Sequence, residues 1–350
     1  MSRIQVSVIM QVYNSEEYLE TAINSVLNQD IEEMELLLVD DGSKDNSGNI
    51  CDRYQDDPRV RVFHKENEGI CATRNFAVEH AGGEYLVFID NDDELADHVL
   101  SENYALAKKY DADVVKYGCS IEESFESGYV EKRANVFKKL RVFDQSKAAR
   151  YYAIADKERY FSYIWNGMYR RSWGQEHHLK FNTEIKCGFE DRVLNYEIFR
   201  LARRQVLNPH IGYRYFQRFE HSTFKKFNRN MLYSGLLSAE AEYGLIQHLK
   251  ESEDSHSDWI RRSAEYLIEL LMLLSRNDND MSQEDVAVFR RKIKKSKVFS
   301  GVQKNGADKN LPLTKKRVVR RFVKGRYSAL LSISKVYVRF IFLKKRLGKR

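Results

Sequence analysis

The chain has 350 residues, of which 43% are hydrophobic and 31% are charged, a composition typical of a folded globular protein. It contains three prolines, too few for a Pro-rich linker, and its four cysteines form no C-x-x-C motif and no metal-ligand spacing. No run of about 18 uninterrupted apolar residues occurs and no signal peptide is apparent, so we expect a cytoplasmic protein with reduced thiols and no transmembrane helix.

The formal net charge of +7 is distributed unevenly along the chain. Residues 315–350 contain 14 Lys or Arg and no acid, so the remainder is acidic overall. The basic tail and the acidic body are therefore expected to have different partners.

The first 120 residues alternate short apolar runs with segments of helical periodicity. Strands are predicted at 6–10, 36–39, 60–63, 86–89 and 114–117, with helices at 16–29, 46–54 and 69–81 and another before 114. Continuous apolar runs separated by helices predict a mostly parallel sheet with helices on both faces, an α/β fold.

The second half has a less regular pattern. Residues 120–225 are aromatic-rich, with a helix expected after Glu190, and helices are predicted at 229–250 and 258–275 around a polar loop. We predict an α/β domain over 1–225, a helical extension over 226–300 and a basic tail over 301–350.

Acidic residues follow two of the predicted strands. Asp40 and Asp41 follow the run that ends at Val39, and the cluster 90–94 follows Ile89. In open α/β sheets, ligands bind at the carboxyl ends of the strands, so both groups are expected at one ligand-binding edge. Carboxylates there could hold a hard cation or accept hydrogen bonds from a ligand, although Asn and Asp in such positions also build ordinary turns.

Three segments at fixed spacing give this pattern its specificity. They read VSVIMQVYNSEEYLETAINSVLNQ, LLLVDDGSKDNSGNICDRY and HKENEGICATRNFAVEHAGGEYLVFIDNDDEL. Together they resemble glycosyltransferase family 2, whose members have the GT-A fold and use nucleotide sugars. The resemblance is strong over 4–120, the nucleotide-binding half, and weaker over 121–225, the acceptor half.

The resemblance implies a nucleotide pocket built from three loops. Val12 and Tyr13 would contact the base, and Asp41, in preference to Asp40, would bind uracil. The residues that would complete the nucleoside pocket are Asn67 and Arg74.

The resemblance also implies that the DxD acids hold ribose and a divalent metal, Mn²⁺ or Mg²⁺. Asp92 would be the direct metal ligand, with Asp90 beside it. One departure stands out, because the family usually has proline in the first loop where this chain has Gln11.

Inverting transfer needs a carboxylate that accepts the proton of the attacking hydroxyl. The segment CGFEDRVLNYEIF, at 187–199, resembles the acid-pair motif of the family, which implies Asp191 as general base beside Glu190. Acids at the start of a helix also complement its dipole, and this alternative stays open.

Two further segments carry weaker indications. In YRYFQRFEHST, at 213–223, the resemblance implies that Arg218 and Ser222 contact the diphosphate and that His221 approaches the metal; the alternative is an aromatic strand followed by a surface loop. Trp165 and Asn166 fall where the family shapes the acceptor side, although a tryptophan is as often part of the core.

The tail alternates basic and bulky apolar residues. Val318, Val319, Phe322 and Val323 recur at helical spacing among cations, a pattern typical of an interfacial membrane helix. We therefore expect 315–350 to bind an anionic membrane surface; a helix packed on the body and a nucleic-acid contact are the alternatives, and nucleic acid is not expected as a partner.

These features together predict an inverting, metal-dependent glycosyltransferase. It would transfer a sugar from a nucleotide-diphosphate donor, with UDP as the expected nucleotide, to a hydroxyl of a lipid-linked glycan. The reaction would take place at the inner face of the bacterial membrane, in surface polysaccharide synthesis. The alternatives are a membrane-associated scaffold that binds nucleotide sugars without turnover and a basic-tail adaptor whose body is only structural.

Overall fold

The computed structural model describes residues 4–125, 128–218, 227–249, 253–274, 276, 278–300, 316–317, 319–321 and 324. The chain forms two compact units, Met1–Thr183 with Leu194–Ser222, and Glu184–Val193 with Thr223–Arg350. We call them the sheet unit and the helical unit. Residues 184–193, which carry the predicted general base, belong to the helical unit although the predicted domain boundary lies at 225.

The sheet unit is organised around one mixed sheet of ten strands with the path β3-β2-β1-β4-β9-β6-β10-β5, in which β7 pairs with β6 and β8 with β10. The strands are β1 (Val6–Val12), β2 (Met34–Asp40), β3 (Val60–His64), β4 (Tyr85–Asp90), β5 (Glu94–Leu95), β6 (Val114–Ser124), β7 (Val130–Asn135), β8 (Arg141–Asp144), β9 (Gly167–Arg170) and β10 (Arg204–Gln217).

The helices of the structure are α1 (Leu19–Leu27), α2 (Ser47–Asp52), α3 (Ile70–His80), α4 (Val99–Tyr110), α5 (Ala148–Lys157), α6 (Arg171–Glu176), α7 (Glu190–Leu201), α8 (Arg229–His248), α9 (Glu253–Leu274) and α10 (Gln283–Lys295). The predicted helix at 16–29 begins only at Leu19, because the Ser15 carbonyl accepts from the backbone N–H groups of Tyr18 and Leu19 in a preceding turn. The helix predicted from 258 begins earlier, at Glu253.

The parallel core of the sheet determines where the candidate site lies. β1 lies between β2 and β4 and runs parallel to both, with Val12 opposite Asp40 and Gln11 opposite Asp90. All residues of β2 are buried, as the continuous apolar runs predicted. The carboxyl ends of β1, β2 and β4 therefore lie side by side at one edge.

The helical unit has a core of its own. The apolar faces of α8, α9 and α10 supply it, and α10 begins with a capping box in which Ser282 and Asp285 bond reciprocally. Val319 is fully buried in this core, so its side chain packs on the helical unit rather than being available to lipid. Packing on the helical unit is thus observed at Val319, and membrane binding by 315–350 stays a prediction.

Most of the tail, including Val318, Phe322, Val323 and 325–350, lies outside the described residues. Among the helices that the structure describes, none combines the length and apolarity needed to cross a bilayer.

Candidate active site

The acids that follow β2 are buried and bind neighbouring loops. Asp41 is only 4% exposed and accepts from the backbone N–H groups of Glu68 and Gly69, at 3.0 and 2.9 Å. Its carboxylate also lies 3.1 Å from the Lys65 ammonium. These bonds fix the loop between β3 and α3 against the end of β2.

Asp40 has a similar role towards its own turn and towards β3. Its Oδ1 accepts from the Ser43 N–H at 3.0 Å, and its Oδ2 lies 3.1 Å from Nδ1 of His64. His64 also contacts Asp52 at 3.0 Å. The hydrogen bonds to Asp52 and Asp40 raise the pKa of His64 above its ordinary value.

The turn after these acids brings the three predicted nucleotide loops together. Gly42 has a φ of +74°, and a Cβ at this position would lie 3.0 Å from the backbone nitrogen of Asn67, so only glycine fits without strain. The Asn67 side chain is exposed and Tyr13 is 44% exposed, whereas Val12 is buried. Of these predicted nucleotide-pocket residues, Tyr13 and Asn67 therefore have exposed side chains and Val12 does not.

Asp90, at the end of β4, is held by side chains. Its Oδ1 accepts from Nη2 of Arg74 and from Nε2 of Gln11, both at 2.8 Å. Arg74, on α3, is 1% exposed and also donates from Nε to Gln11 at 2.9 Å. The cluster Gln11–Arg74–Asp90 is a partly buried network that the sequence did not predict, because its members lie up to 79 residues apart.

Asp92 is more accessible, with 37% of its side chain exposed. Arg218 donates to the Asp92 carbonyl at 2.7 Å and lies 3.2 Å from its Oδ2. The Arg218 guanidinium lies 3.8 Å from the ring centroid of Tyr18, a cation–π contact. The structure therefore brings the predicted diphosphate residue Arg218 to the predicted metal ligand Asp92.

Asp93, which was not singled out from the sequence, supports this turn from behind. It is almost fully buried and accepts from the Tyr213 hydroxyl at 2.9 Å and from the Phe216 N–H at 2.8 Å. Burial, with the nearby charges of Asp92 and Asp90, raises the pKa of Asp93 well above its usual value. The Tyr213 hydroxyl also accepts from the Asp90 N–H, which ties β10 to the acidic turn.

Of the two alternatives stated for Trp165, the acceptor side of the cleft and the core, the core fits this structure. Trp165 is 3% exposed, and its ring is stacked between Tyr163 and Tyr213, with centroids 4.2 and 4.0 Å away. Both ring faces are covered by protein, so no face remains for a sugar. The residue instead supports Tyr213, which binds the acidic turn.

Asn166 is likewise committed to the interior. Its Oδ1 accepts from the ammonium of the fully buried Lys116 at 2.9 Å, and its side-chain amide donates to the Tyr117 carbonyl. Lys116 also donates to the Tyr163 carbonyl and to Asn195. The acceptor role predicted for Asn166 is therefore replaced by a bond that satisfies a buried cation; an internal lysine in an apolar run, VVKYG, was the available signal.

The predicted acid pair lies at the first turn of α7, in the helical unit. Gly188 and Phe189, which precede it, both have positive φ values, of 65° and 69°. The Arg192 guanidinium lies 5.8 Å from the ring centroid of Tyr266, on α9. The segment with Glu190 and Asp191 is thus anchored on the helices, while Ser222 and His221 lie outside the described residues.

The carboxylates fit one kind of metal site and not another. Among the described residues, no cluster of three His, Cys, Asp or Glu side chains could by itself hold a metal ion. Asp92, half-exposed and bonded to an arginine, fits a cation that takes one or two protein carboxylates and completes its shell with ligand phosphates.

Comparison with known proteins agrees with this geometry. The family model for glycosyl transferase family 2 matches residues 7–207, more than half of the chain and the whole parallel core. The chain belongs to glycosyltransferase family 2. This confirms the family and the enzyme class that the three sequence segments predicted.

Named relatives in bacteria support the assignment. The glycosyltransferase EpsH of Bacillus subtilis is 30% identical over 254 residues, 71% of each chain. EpsJ of the same organism is 32% identical over 200 residues, 57% of each chain, and GlyG of Streptococcus pneumoniae is 41% identical over 112 residues. The matches with EpsJ and GlyG span 57% and 37% of the length of those two proteins.

A solved structure confirms the fold. The crystal structure of Staphylococcus aureus TarS 1–349 in complex with UDP-GlcNAc superimposes with a TM-score of 0.64 at 18% identity, covering 96% of this chain and 92% of that one. The predicted GT-A architecture with a helical C-terminal region is therefore correct.

Proposed function

We propose that this family 2 protein transfers a sugar, with inversion, from a UDP-sugar to a hydroxyl of a lipid-linked glycan in bacterial surface polysaccharide synthesis. The observation that carries the proposal is the meeting of two acidic strand ends, Asp40–Asp41 and Asp90–Asp92, at one edge of the sheet. So much negative charge at one edge, offset by Arg74 and Arg218, suits a site that binds a diphosphate with its counter-cation.

The donor would lie along this edge. Tyr13 would contact the base and Asn67 would complete the nucleoside pocket, both from exposed positions, and Asp41 would bind uracil while it fixes the loop between β3 and α3. Arg218 and Ser222 would contact the diphosphate. UDP and UDP-GlcNAc are the ligands named for the TarS structures of the same fold, which supports this donor class.

The reaction forms one bond and breaks another at the anomeric carbon. The acceptor oxygen attacks that carbon while the bond to the diphosphate oxygen breaks, and UDP leaves with the electron pair. The hydroxyl proton passes to the Asp191 carboxylate, with Glu190 beside it. Mn²⁺ or Mg²⁺, held by Asp92 with Asp90 and His221, would stabilise the charge on the leaving diphosphate.

The basic tail would bring the enzyme to the membrane that carries its acceptor. The basic residues of the tail would attract an anionic membrane at about 1 kcal/mol each near the surface, and so keep the enzyme at the cytoplasmic face. Val319 is buried in the helical unit, whereas Arg317, Arg320 and Lys324 are exposed and could take part in this role with the rest of 315–350. The lipid-linked acceptor would be met at the same surface.

The second candidate is a non-catalytic scaffold that binds nucleotide sugars at the membrane. Such a scaffold would have the same donor site but would not need a general base. With a UDP-sugar that stabilises the protein, an Asp191→Asn variant that loses turnover and keeps donor binding would support the enzyme. A wild-type protein that binds UDP-sugars but consumes none of them would support the scaffold.

The first test is thermal unfolding with UDP, GDP, CDP and dTDP, each with and without Mn²⁺, in wild type and Asp92→Ala. A ligand at a hundredfold excess over its Kd adds about 2.7 kcal/mol of stability. We expect stabilisation by UDP that increases with Mn²⁺ and is lost in Asp92→Ala. Absence of a shift with every nucleotide would overturn the proposed function.

A further inference from the structure

Gln11 occupies a central place at the edge where the acids meet. It is the penultimate residue of β1 and the cross-strand partner of Asp90 on β4. Partners in adjacent strands place their side chains on the same face, so Gln11 faces Asp90.

Both the nitrogen and the oxygen of the Gln11 side-chain amide form hydrogen bonds. Its Nε2 donates to Oδ1 of Asp90 at 2.8 Å, and its Oε1 accepts from Nε of Arg74 at 2.9 Å. Arg74 completes the triangle by donating from Nη2 to the same Oδ1 at 2.8 Å. Each of the three side chains therefore bonds to the other two.

The triangle fixes the orientation of the Asp90 carboxylate. Two donors converge on Oδ1, and no residue in the described part of the chain donates to Oδ2. Rotation of the carboxylate would break both bonds at once, so Oδ2 is held ready for an external donor. A ribose hydroxyl of the nucleotide is a donor of the right chemistry.

We propose that Gln11 is a positioning residue for the nucleotide, which locks Asp90 and Arg74 into one unit and so presents Oδ2 of Asp90 to the ribose. This rests on the proposed function of the site. Gln11 itself need not touch the donor, because it acts through the carboxylate. Gln11 also supplies the acceptor for the Nε–H group of the buried Arg74, which would otherwise be unsatisfied.

The test compares two methionine substitutions of similar size. Gln11→Met removes both amide bonds of the triangle. Gln29→Met is the matched control, because Gln29 is also a buried glutamine with both ends bonded, to Ala96 and Leu100, and contacts none of the proposed donor residues. UDP affinity is measured by calorimetry on the full chain, in EDTA and in Mn²⁺, together with the melting temperature.

We expect Gln11→Met to weaken UDP binding roughly fivefold in both conditions, the effect of one or two lost hydrogen bonds, and Gln29→Met to leave the Kd unchanged. The losses caused by Gln11→Met and Asp90→Asn should not add in the double variant, since one acts through the other.

Three results would overturn the inference: an unchanged Kd in Gln11→Met, equal losses in the two methionine variants, or additive losses with Asp90→Asn. Failure of the wild type to bind UDP at all would instead overturn the proposed function, so the two failures are distinguishable.

Discussion

The two acidic strand ends of the sheet unit differ in what holds them. After β2, Asp41 is buried and accepts from two backbone N–H groups. After β4, Asp90 and Asp92 are partly exposed, at 25% and 37% of their side chains, and are held by Arg74 and Arg218. One end is bonded mainly to the main chain and the other to side chains.

This difference distinguishes carboxylates that support a loop from a carboxylate that can exchange its partner for a ligand. A backbone N–H has a fixed position, so the carboxylate that it binds becomes part of the loop. The partly exposed Arg218 side chain can turn to another anion, so Asp92 can be released when a diphosphate and its cation arrive, whereas the buried Arg74 keeps Asp90 in place. We therefore expect loss of Asp41 to affect folding, and loss of the Asp92 pair to affect ligand binding.

The largest effect is expected from Asp41→Ala. This change leaves the Glu68 and Gly69 N–H groups without their acceptor and removes one of the two carboxylates that pair with Lys65, which should lower the free energy of unfolding by about 2–3 kcal/mol. Asp92→Ala should lower it by less than about 1 kcal/mol, because its pair is exposed. Urea denaturation measures the free energy of unfolding of both variants. Equal losses of stability would contradict the distinction between the acids after β2 and those after β4.

A smaller effect on stability is expected from Arg218→Met. Its ion pair with Asp92 is solvent-screened, so the free energy of unfolding should change by less than about 1 kcal/mol, while UDP binding in Mn²⁺ weakens several-fold. Arg214→Met is the control, because Arg214 lies near the end of β10, shortly before Arg218 in the chain, and pairs with Glu94 instead. Similar UDP affinities in the two variants would contradict a diphosphate role for Arg218.

The smallest effect is expected at His64, which links Asp40 to Asp52. Its folded-state pKa is raised, so its contribution to stability is complete below about pH 6.5 and is lost as pH rises through the raised value. His64→Gln should therefore be destabilised relative to wild type at pH 6, by a few tenths of a kcal/mol for this half-exposed ring, and less at pH 8.5.

Chemical denaturation at the two pH values measures this difference. Asp52→Asn, which removes one of the two carboxylates, should reduce the pH dependence without removing it. A His64→Gln effect that is larger at pH 8.5 than at pH 6 would show that His64 is held in its neutral form.

The sequence by itself determined the family, the alternation of strands and helices in the first 120 residues, and the acidic ends of β2 and β4. These features are local, because apolar runs and the residues that follow them lie within a few positions of each other. The capping residues Ser282 and Asp285, at the start of α10, are a local signal of the same kind.

Only the tertiary structure decided how these residues are used. It enclosed Trp165 between two tyrosines, committed Asn166 to Lys116, and assigned residues 184–193 to the helical unit. It also joined Gln11, Arg74 and Asp90, which are separated by 63 and 16 residues along the chain. Such contacts depend on how a helix packs across neighbouring strands, and no periodicity along a single sequence records that packing.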